Sequence, residues 1–223
     1  MSSFNAFVER VREGSYQSVP VWLGVVSPRP VGGTLTAAFQ KPGMLIPAGT
    51  PVYFDEANRT IAPFANWEVV SVNTSTHAIT VKANAFGVLP AANDFLGIVG
   101  ATFATTGAAG KVSSVAADAT AGQYVITLTD AKLDGATAGQ FLAWSSADAV
   151  AASGKSLANQ PNGYLYNDIF ISPLLPGQTS VQDTASGAVV DFHGEGLLIK
   201  RTTGAAFAAQ LKVAVPNVIQ VGF

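Results

Sequence analysis

Apolar and polar positions change their period along the chain. Over residues 3–13, Phe4, Phe7, Val8 and Val11 recur at i, i+3, i+4 and i+7, with Glu9, Arg10, Arg12 and Glu13 on the other sides and Gly14 as a stop. That spacing predicts an amphipathic helix. Eleven residues are too few to stay helical alone in water, so the apolar face needs a surface to dock on, either its own domain or another subunit. From Val19 onward, short apolar runs broken by Gly, Pro, Asn and Asp take over, the pattern of an all-β chain. Strands are expected over 19–26, 51–55, 67–73, 78–83, 95–101, 112–116, 124–129, 140–144, 165–172 and 187–193. Residues 56–59, residues 73–76 and the pair Asn162-Gly163 supply turn chemistry between them. The gaps are mostly too short for crossover helices, which argues against parallel βαβ units. One or two helical turns are expected over 147–153 and a second helix over 205–213, with Phe207 and Leu211 on one face and Pro216-Asn217 as its stop. The closing residues 218–223 read as a short strand or an extended tail.

The middle of the chain echoes itself. Glu68-Val69-Val70-Ser71-Val72, Ile79-Thr80-Val81 and Asp94-Phe95-Leu96 return as Lys111-Val112-Ser113-Ser114-Val115, Ile126-Thr127-Leu128 and Gln140-Phe141-Leu142. Each unit reads as a hairpin plus a third strand, and two such units side by side can close a small barrel or sandwich. The other reading is the self-similarity of any meander rich in Val, Thr and Ala.

Composition then narrows the classes. Of 223 residues, 12 are Lys or Arg and 14 are Asp or Glu, so charged residues make up 12% against about 25% in ordinary soluble domains. Either the core is large or part of the surface is covered by a partner. The chain has no cysteine, which excludes disulfide frameworks, thiol nucleophiles, iron–sulfur clusters and zinc fingers. A net charge of −2 argues against a nucleic-acid partner, which would call for a Lys/Arg stripe. The longest strongly apolar stretch, residues 19–26, carries a proline and is far short of the about 20 residues of a spanning helix, so no membrane is expected. The N-terminal segment lacks the apolar run of a secretion signal, so synthesis in the cytoplasm is expected.

Candidate chemistry is thin. Residues 149–156 (AVAASGKS) fit a loosened P-loop, with Lys155 and Ser156 in the phosphate and magnesium places. However, Pro161 and Asn162-Gly163 forbid the long helix a P-loop feeds, so the segment reads as a polar loop. His77 falls in an expected hairpin turn and reads as solvated. Asp191, His193 and Glu195 alternate, so on a strand they share one face that could hold a cation; the plainer reading is the polar face of a half-buried strand that bends at Gly194 and Gly196. No G-x-S-x-G elbow supports a triad through His193. Asn58-Arg59-Thr60 and Asn73-Thr74-Ser75 match the glycosylation sequon but read as turns. Trp22, Trp67 and Trp144 are core residues or, alternatively, platforms that stack sugars. The chain is expected not to be an enzyme and to use neither cofactor nor metal.

Three stretches together carry a resemblance. GMLIPAGTPVYFD (residues 43–55) followed by NRTIAPFA, NGYLYNDI (residues 162–169) and GAVVDFHGEGLLIKR (residues 187–201) resemble, in that order, capsid decoration and head-fibre proteins of tailed bacteriophages. The resemblance implies a virion structural protein on the capsid exterior, made in the host cytoplasm. It would bind the major capsid protein and other copies of itself as a homo-oligomer, with a trimer as one form. It implies a mainly β fold of antiparallel barrel or sandwich domains with a short N-terminal and a short C-terminal helix. Residues 1–18 would be a helical arm, 19–67 with 148–223 a decoration-like β-domain, and 68–147 an inserted β-repeat. Phe4, Phe7, Val8, Val11 and Phe223 are the expected capsid or subunit contacts. The alternative is a carbohydrate- or cell-surface-binding β-module that uses one of the tryptophans.

Overall fold

The computed structural model describes residues 22–25, 32–100, 109–145, 160–174, 176, 185–187, 189–191, 196–199 and 218–221. The expected helices over 3–13 and 205–213, the helical turns over 147–153 and the P-loop-like stretch lie outside them. The described chain is mainly β, built from curled sheets. Its first part contributes β1 (Trp22–Val25), β2 (Gly33–Leu35), β3 (Leu45–Ile46), β4 (Pro51–Asp55) and β5 (Thr60–Pro63). The middle contributes β6 (Asn66–Asn73), β7 (Ala78–Lys82), β8 (Phe95–Ile98), β9 (Gly110–Ala117), β10 (Gln123–Leu128) and β11 (Phe141–Trp144). The last part contributes β12 (Gly163–Leu165), β13 (Ile169–Phe170), β14 (Ser186–Gly187), β15 (Val189–Asp191), β16 (Gly196–Ile199) and β17 (Val218–Val221). Short 3-10 turns sit at Ala37–Phe39 and Ala131–Leu133.

Strands β6 to β11 close into a barrel in the order β10-β7-β6-β11-β8-β9. Its two halves are related by a pseudo-twofold that the registers reveal. Val69↔Val81, Ser71↔Thr80 and Val72↔Ile79 between β6 and β7 repeat as Val112↔Leu128, Ser114↔Thr127 and Val115↔Ile126 between β9 and β10. Both ladders skip one residue at the equivalent place, Val70 in one half and Ser113 in the other. Such bulges add local twist and bend, which a small closed sheet needs. The third strand of each half crosses to the first strand of the other: Phe95↔Lys111 and Leu96↔Gly110 match Phe141↔Glu68 and Leu142↔Trp67. The turns into those third strands match too. Ala91 N donates to Asp94 Oδ2 and Thr137 N to Gln140 Oε1, both at 2.8 Å. Asn93 and Gly139 then take the left-handed backbone at φ 76° and 85°.

The remaining sheet runs β14-β2-β5-β4-β12-β15. Its two end strands, β14 and β15, are separated by a single residue, so one stretch of chain pairs with β2 at one end and β12 at the other. The sheet therefore curls round on itself. At this seam Gly33 and Gly187 lie opposite each other. A Cβ on Gly33 would stand 2.8 Å from the Arg59 carbonyl oxygen, a collision with backbone, and one on Gly187 2.7 Å from Ile169 Cδ1, which the buried Ile169 side chain would have to shift to relieve. Two smaller sheets, β13-β3 and β1-β16-β17, complete the described structure.

The two curled units share one apolar core, which includes Leu35, Ile46, Val52 and Ile61 from one and Trp67, Ile79, Leu96, Ile126 and Leu142 from the other. The barrel's symmetry is broken where they meet. Trp67 and Trp144 stand where the opposite half has Gly110 and Ile98. Phe39 of the Ala37–Phe39 turn packs edge-on to Trp144 (centroids 6.4 Å, 87°) and to Phe86 (5.8 Å, 80°). Aromatic pairs in this T-shaped arrangement contribute about 0.5–1.5 kcal/mol beyond area burial.

Several expectations need correction. Parallel pairing does occur, Thr34↔Thr60 between β2 and β5 and Gly196↔Val218 between β16 and β17, without an intervening crossover helix among the described residues of the first pair. The strand expected over 165–172 is broken at Tyr166-Asn167, because the chain turns there from the curled sheet to pair with β3. The strand expected over 187–193 is divided between partners at the seam. Asn162-Gly163 is not a turn: Gly163 opens β12, opposite Val52. The strands β2, β3, β5 and β16 were absent from the sequence pattern, while residues 218–221 are a strand.

Candidate interaction surface

The three stretches that carry the resemblance are more than 100 residues apart at their extremes, yet they hydrogen-bond to one another. Gly163↔Val52 and Tyr164↔Pro51 join the second stretch to the first, Ile169↔Ile46 and Phe170↔Leu45 join them again, and Tyr164↔Val190 brings in the third. Two polar side chains complete the junction. Asn162 stands in for a strand residue: its Oδ1 accepts from Phe54 N at 2.8 Å and its Nδ2 donates to Phe54 O at 2.9 Å. Asp168 Oδ1 accepts from Ala48 N at 2.7 Å, while Gly49 N donates to the Leu165 carbonyl at 2.7 Å. The Pro47–Gly49 turn is therefore held from outside, its orphan N–H groups satisfied by residues far along the chain.

This junction presents apolar surface. Among the described residues the exposed large hydrophobics are Tyr166, Phe170 and Leu174, at 40%, 49% and 38% exposure, all within nine residues. Alternation explains Phe170: Ile169 and Ile171 point into the core and are buried, so the residue between them faces out. The sequence carries that signal in Ile169-Phe170-Ile171, but the run reads as uniformly apolar unless its register is known.

The seam carries an open groove of about 470 Å³ lined by Gly33, Thr34, Arg59, Asn167, Ser186 and Gly187, among others. Arg59 follows a turn tied by Asp55, whose Oδ1 accepts from Ala57 N and Asn58 N and whose Oδ2 accepts from Asn58 Nδ2 at 2.7 Å. Those bonds, the Asn58 side chain first, hold the Asp55 carboxyl below its ordinary pKa. Arg59 takes φ 54° at the end of this turn.

Of the residues singled out in the sequence, Phe4, Phe7, Val8, Val11 and Phe223 lie outside the described residues, as do His193 and Glu195; Asp191 is in β15, opposite Gly163. His77 is not simply solvated. It takes φ 51° in the turn between β6 and β7, and its Nδ1 lies 2.8 Å from Asp134 Oδ2, clipping that turn to the segment after Ala131–Leu133. Trp67 is fully buried with its Nε1 donating to the Val88 carbonyl, so it cannot stack a ligand. Trp144 is half-buried, edge-on to Trp67 at 5.0 Å, and donates to Asp94 Oδ2 at 2.9 Å. Among the described residues no group of three or more His, Asp or Glu is placed to hold a metal ion. Comparison of the chain with protein-family models, with curated proteins and with solved structures returns no match.

Proposed function

We propose that this chain is a structural component of a tailed-phage virion, seated on the outer face of the capsid as a decoration, cement or head-fibre base protein. The observation that carries the reading is the junction of the three stretches. Residues 43–55, 162–169 and 187–201 resemble such proteins in the order of their motifs, and strands from all three stretches are parts of one hydrogen-bonded unit rather than scattered likenesses. The exposed Tyr166, Phe170 and Leu174 on that unit supply apolar surface for the major capsid protein to cover. The amphipathic segment 3–13, through Phe4, Phe7, Val8 and Val11, and the terminal Phe223 are the proposed contacts with capsid or with other copies of the chain. Binding of this kind needs no catalytic group. A standard interface buries roughly 1,600 Å² in total, and repetition over a lattice strengthens weak contacts through multivalency.

The test is the composition and labelling of particles. Phage particles purified from a culture that expresses the gene should contain the chain, and an antibody against it should label the outside of intact heads. Absence from particles, or labelling only after disruption, overturns the reading. Deletion of residues 1–13 should leave a folded β-domain that no longer docks; a truncated chain that unfolds would show instead that this segment belongs to the core.

A further inference from the structure

We propose that the seam groove is a binding site for a carboxylate-bearing sugar. Chain geometry makes the groove. Strands β14 and β15, one residue apart in the chain, pair with β2 and with β12, and the groove lies beside this change of partner. Its volume of about 470 Å³ falls in the range of small-molecule sites, and the groove is open to solvent. Gly33 and Gly187 line it with backbone, and the side chains they lack would have stood on the core side, against Phe54, Ile61, Ile169 and Leu165. Thr34 and Ser186 face each other across the ladder as an exposed pair of hydroxyls, and Asn167, two residues beyond the Leu165↔Val189 pair, adds an amide.

Arg59 determines the class of ligand. Arg59 is exposed and, like Lys41 and Lys111, has no carboxylate within ion-pair distance among the described residues, whereas His77, Lys82 and Lys132 each have one. The tied Asp55–Asn58 turn fixes the Arg59 backbone at the groove. A guanidinium pairs with a carboxylate through two parallel hydrogen bonds, and the neutral hydroxyl and amide groups around it match ring hydroxyls. One cation among three neutral hydrogen-bonding side chains suits one negative charge on a polyhydroxylated ring better than a polyanion. This site does not depend on the virion reading, so either can fail without the other.

The experiment is a titration of the isotopically labelled full-length chain followed by NMR, with galacturonate and N-acetylneuraminate as probes and galactose and inorganic phosphate as controls at matched ionic strength. At least one acidic sugar should saturate and shift the amides of Thr34, Arg59, Asn167 and Ser186, with galactose and phosphate at least tenfold weaker. Arg59→Asn, chosen because asparagine tolerates φ 54°, should weaken the acidic sugar tenfold or more with an unchanged melting temperature. If that variant fails to fold, Ser186→Val takes its place and should weaken binding several-fold. No saturable shift with either acid, equal binding of galactose or of phosphate, or undiminished affinity in the folded variant overturns the proposal.

Discussion

Ile79 and Ile126 occupy the same place in the two halves of the duplicated segment, and they face each other across the β7–β10 ladder, both fully buried. The pseudo-axis of the barrel runs between them. The equivalent crossing on the other side is Gly97↔Ala143, between β8 and β11. Because each half lends its third strand to the other, neither half can complete a sheet alone, and the barrel should unfold as one unit.

Truncating either isoleucine at that crossing should therefore cost the same. Ile79→Ala and Ile126→Ala are each expected to destabilise by about 2–5 kcal/mol, the range for deleting a buried branched side chain. The double variant should depart from additivity, because the two side chains share one site. Urea unfolding at equilibrium measures all three. Costs that differ widely, or simple additivity, would show that the pair does not act as a common crossing.

The matching turns give a more delicate comparison. Asn93 and Gly139 hold equivalent positions at φ 76° and 85°. Gly139→Ala should destabilise by about 1 kcal/mol, since alanine pays a steric cost in the left-handed region. Asn93→Gly should change stability by only a few tenths of a kcal/mol, glycine's ease at this dihedral offsetting its greater freedom when unfolded. Thermal unfolding of the two variants distinguishes these outcomes.

Asp168 is expected to act at a distance of 120 residues. Asp168→Ala removes the acceptor for Ala48 N and should destabilise by about 1–3 kcal/mol, the cost of leaving a partly buried donor unpaired. Hydrogen exchange should rise first at Ala48 and Gly49. Unchanged exchange there would show that the Pro47–Gly49 turn holds without its clamp.

Asp55 supplies the pH prediction. Hydrogen bonds from Asn58 and Ala57 hold its carboxyl below the ordinary value of 3.8 in the folded chain. A folded value below the unfolded one means that folding favours the ionised form. Its contribution is thus complete above the ordinary value and is lost as pH falls through the lower folded value. Asn58→Ala should move the Asp55 titration, followed by NMR, back up toward 3.8. If the titration does not move, the side-chain bond from Asn58 is not what lowers it.

Much of the barrel was legible from residue pattern. The echo of Glu68–Leu96 in Lys111–Leu142 could be aligned by eye, and the registers reproduce that alignment down to the skipped residue. Local alternation and turn residues suffice there, because most partners in these ladders are neighbours in the chain or equivalent residues in a repeat. The curled sheet was harder. Strands β2, β3, β5 and β16 are two to four residues long, too short for alternation to register. The bend at Tyr166-Asn167 and the strand role of Asn162 depend on bonds to Ala48 and Phe54 that no local pattern encodes.

The 12% charge belongs to the same division. Sequence alone determined that the chain is β-rich, cysteine-free and sparsely charged, because periodicity, turn chemistry and composition are local or additive properties; the echo in its middle it left open, and the matching registers of the two halves decided it. Tertiary structure decided where the apolar excess goes. Part of it fills a core common to two curled units, part is the edge-on cluster of Phe39, Phe86, Trp67 and Trp144, and part stays exposed at Tyr166, Phe170 and Leu174. It also placed Arg59, Thr34, Asn167 and Ser186 around one groove. Those four residues are scattered over more than 150 positions, and only the closing of a sheet upon itself, by a strand that changes partner, brings them together.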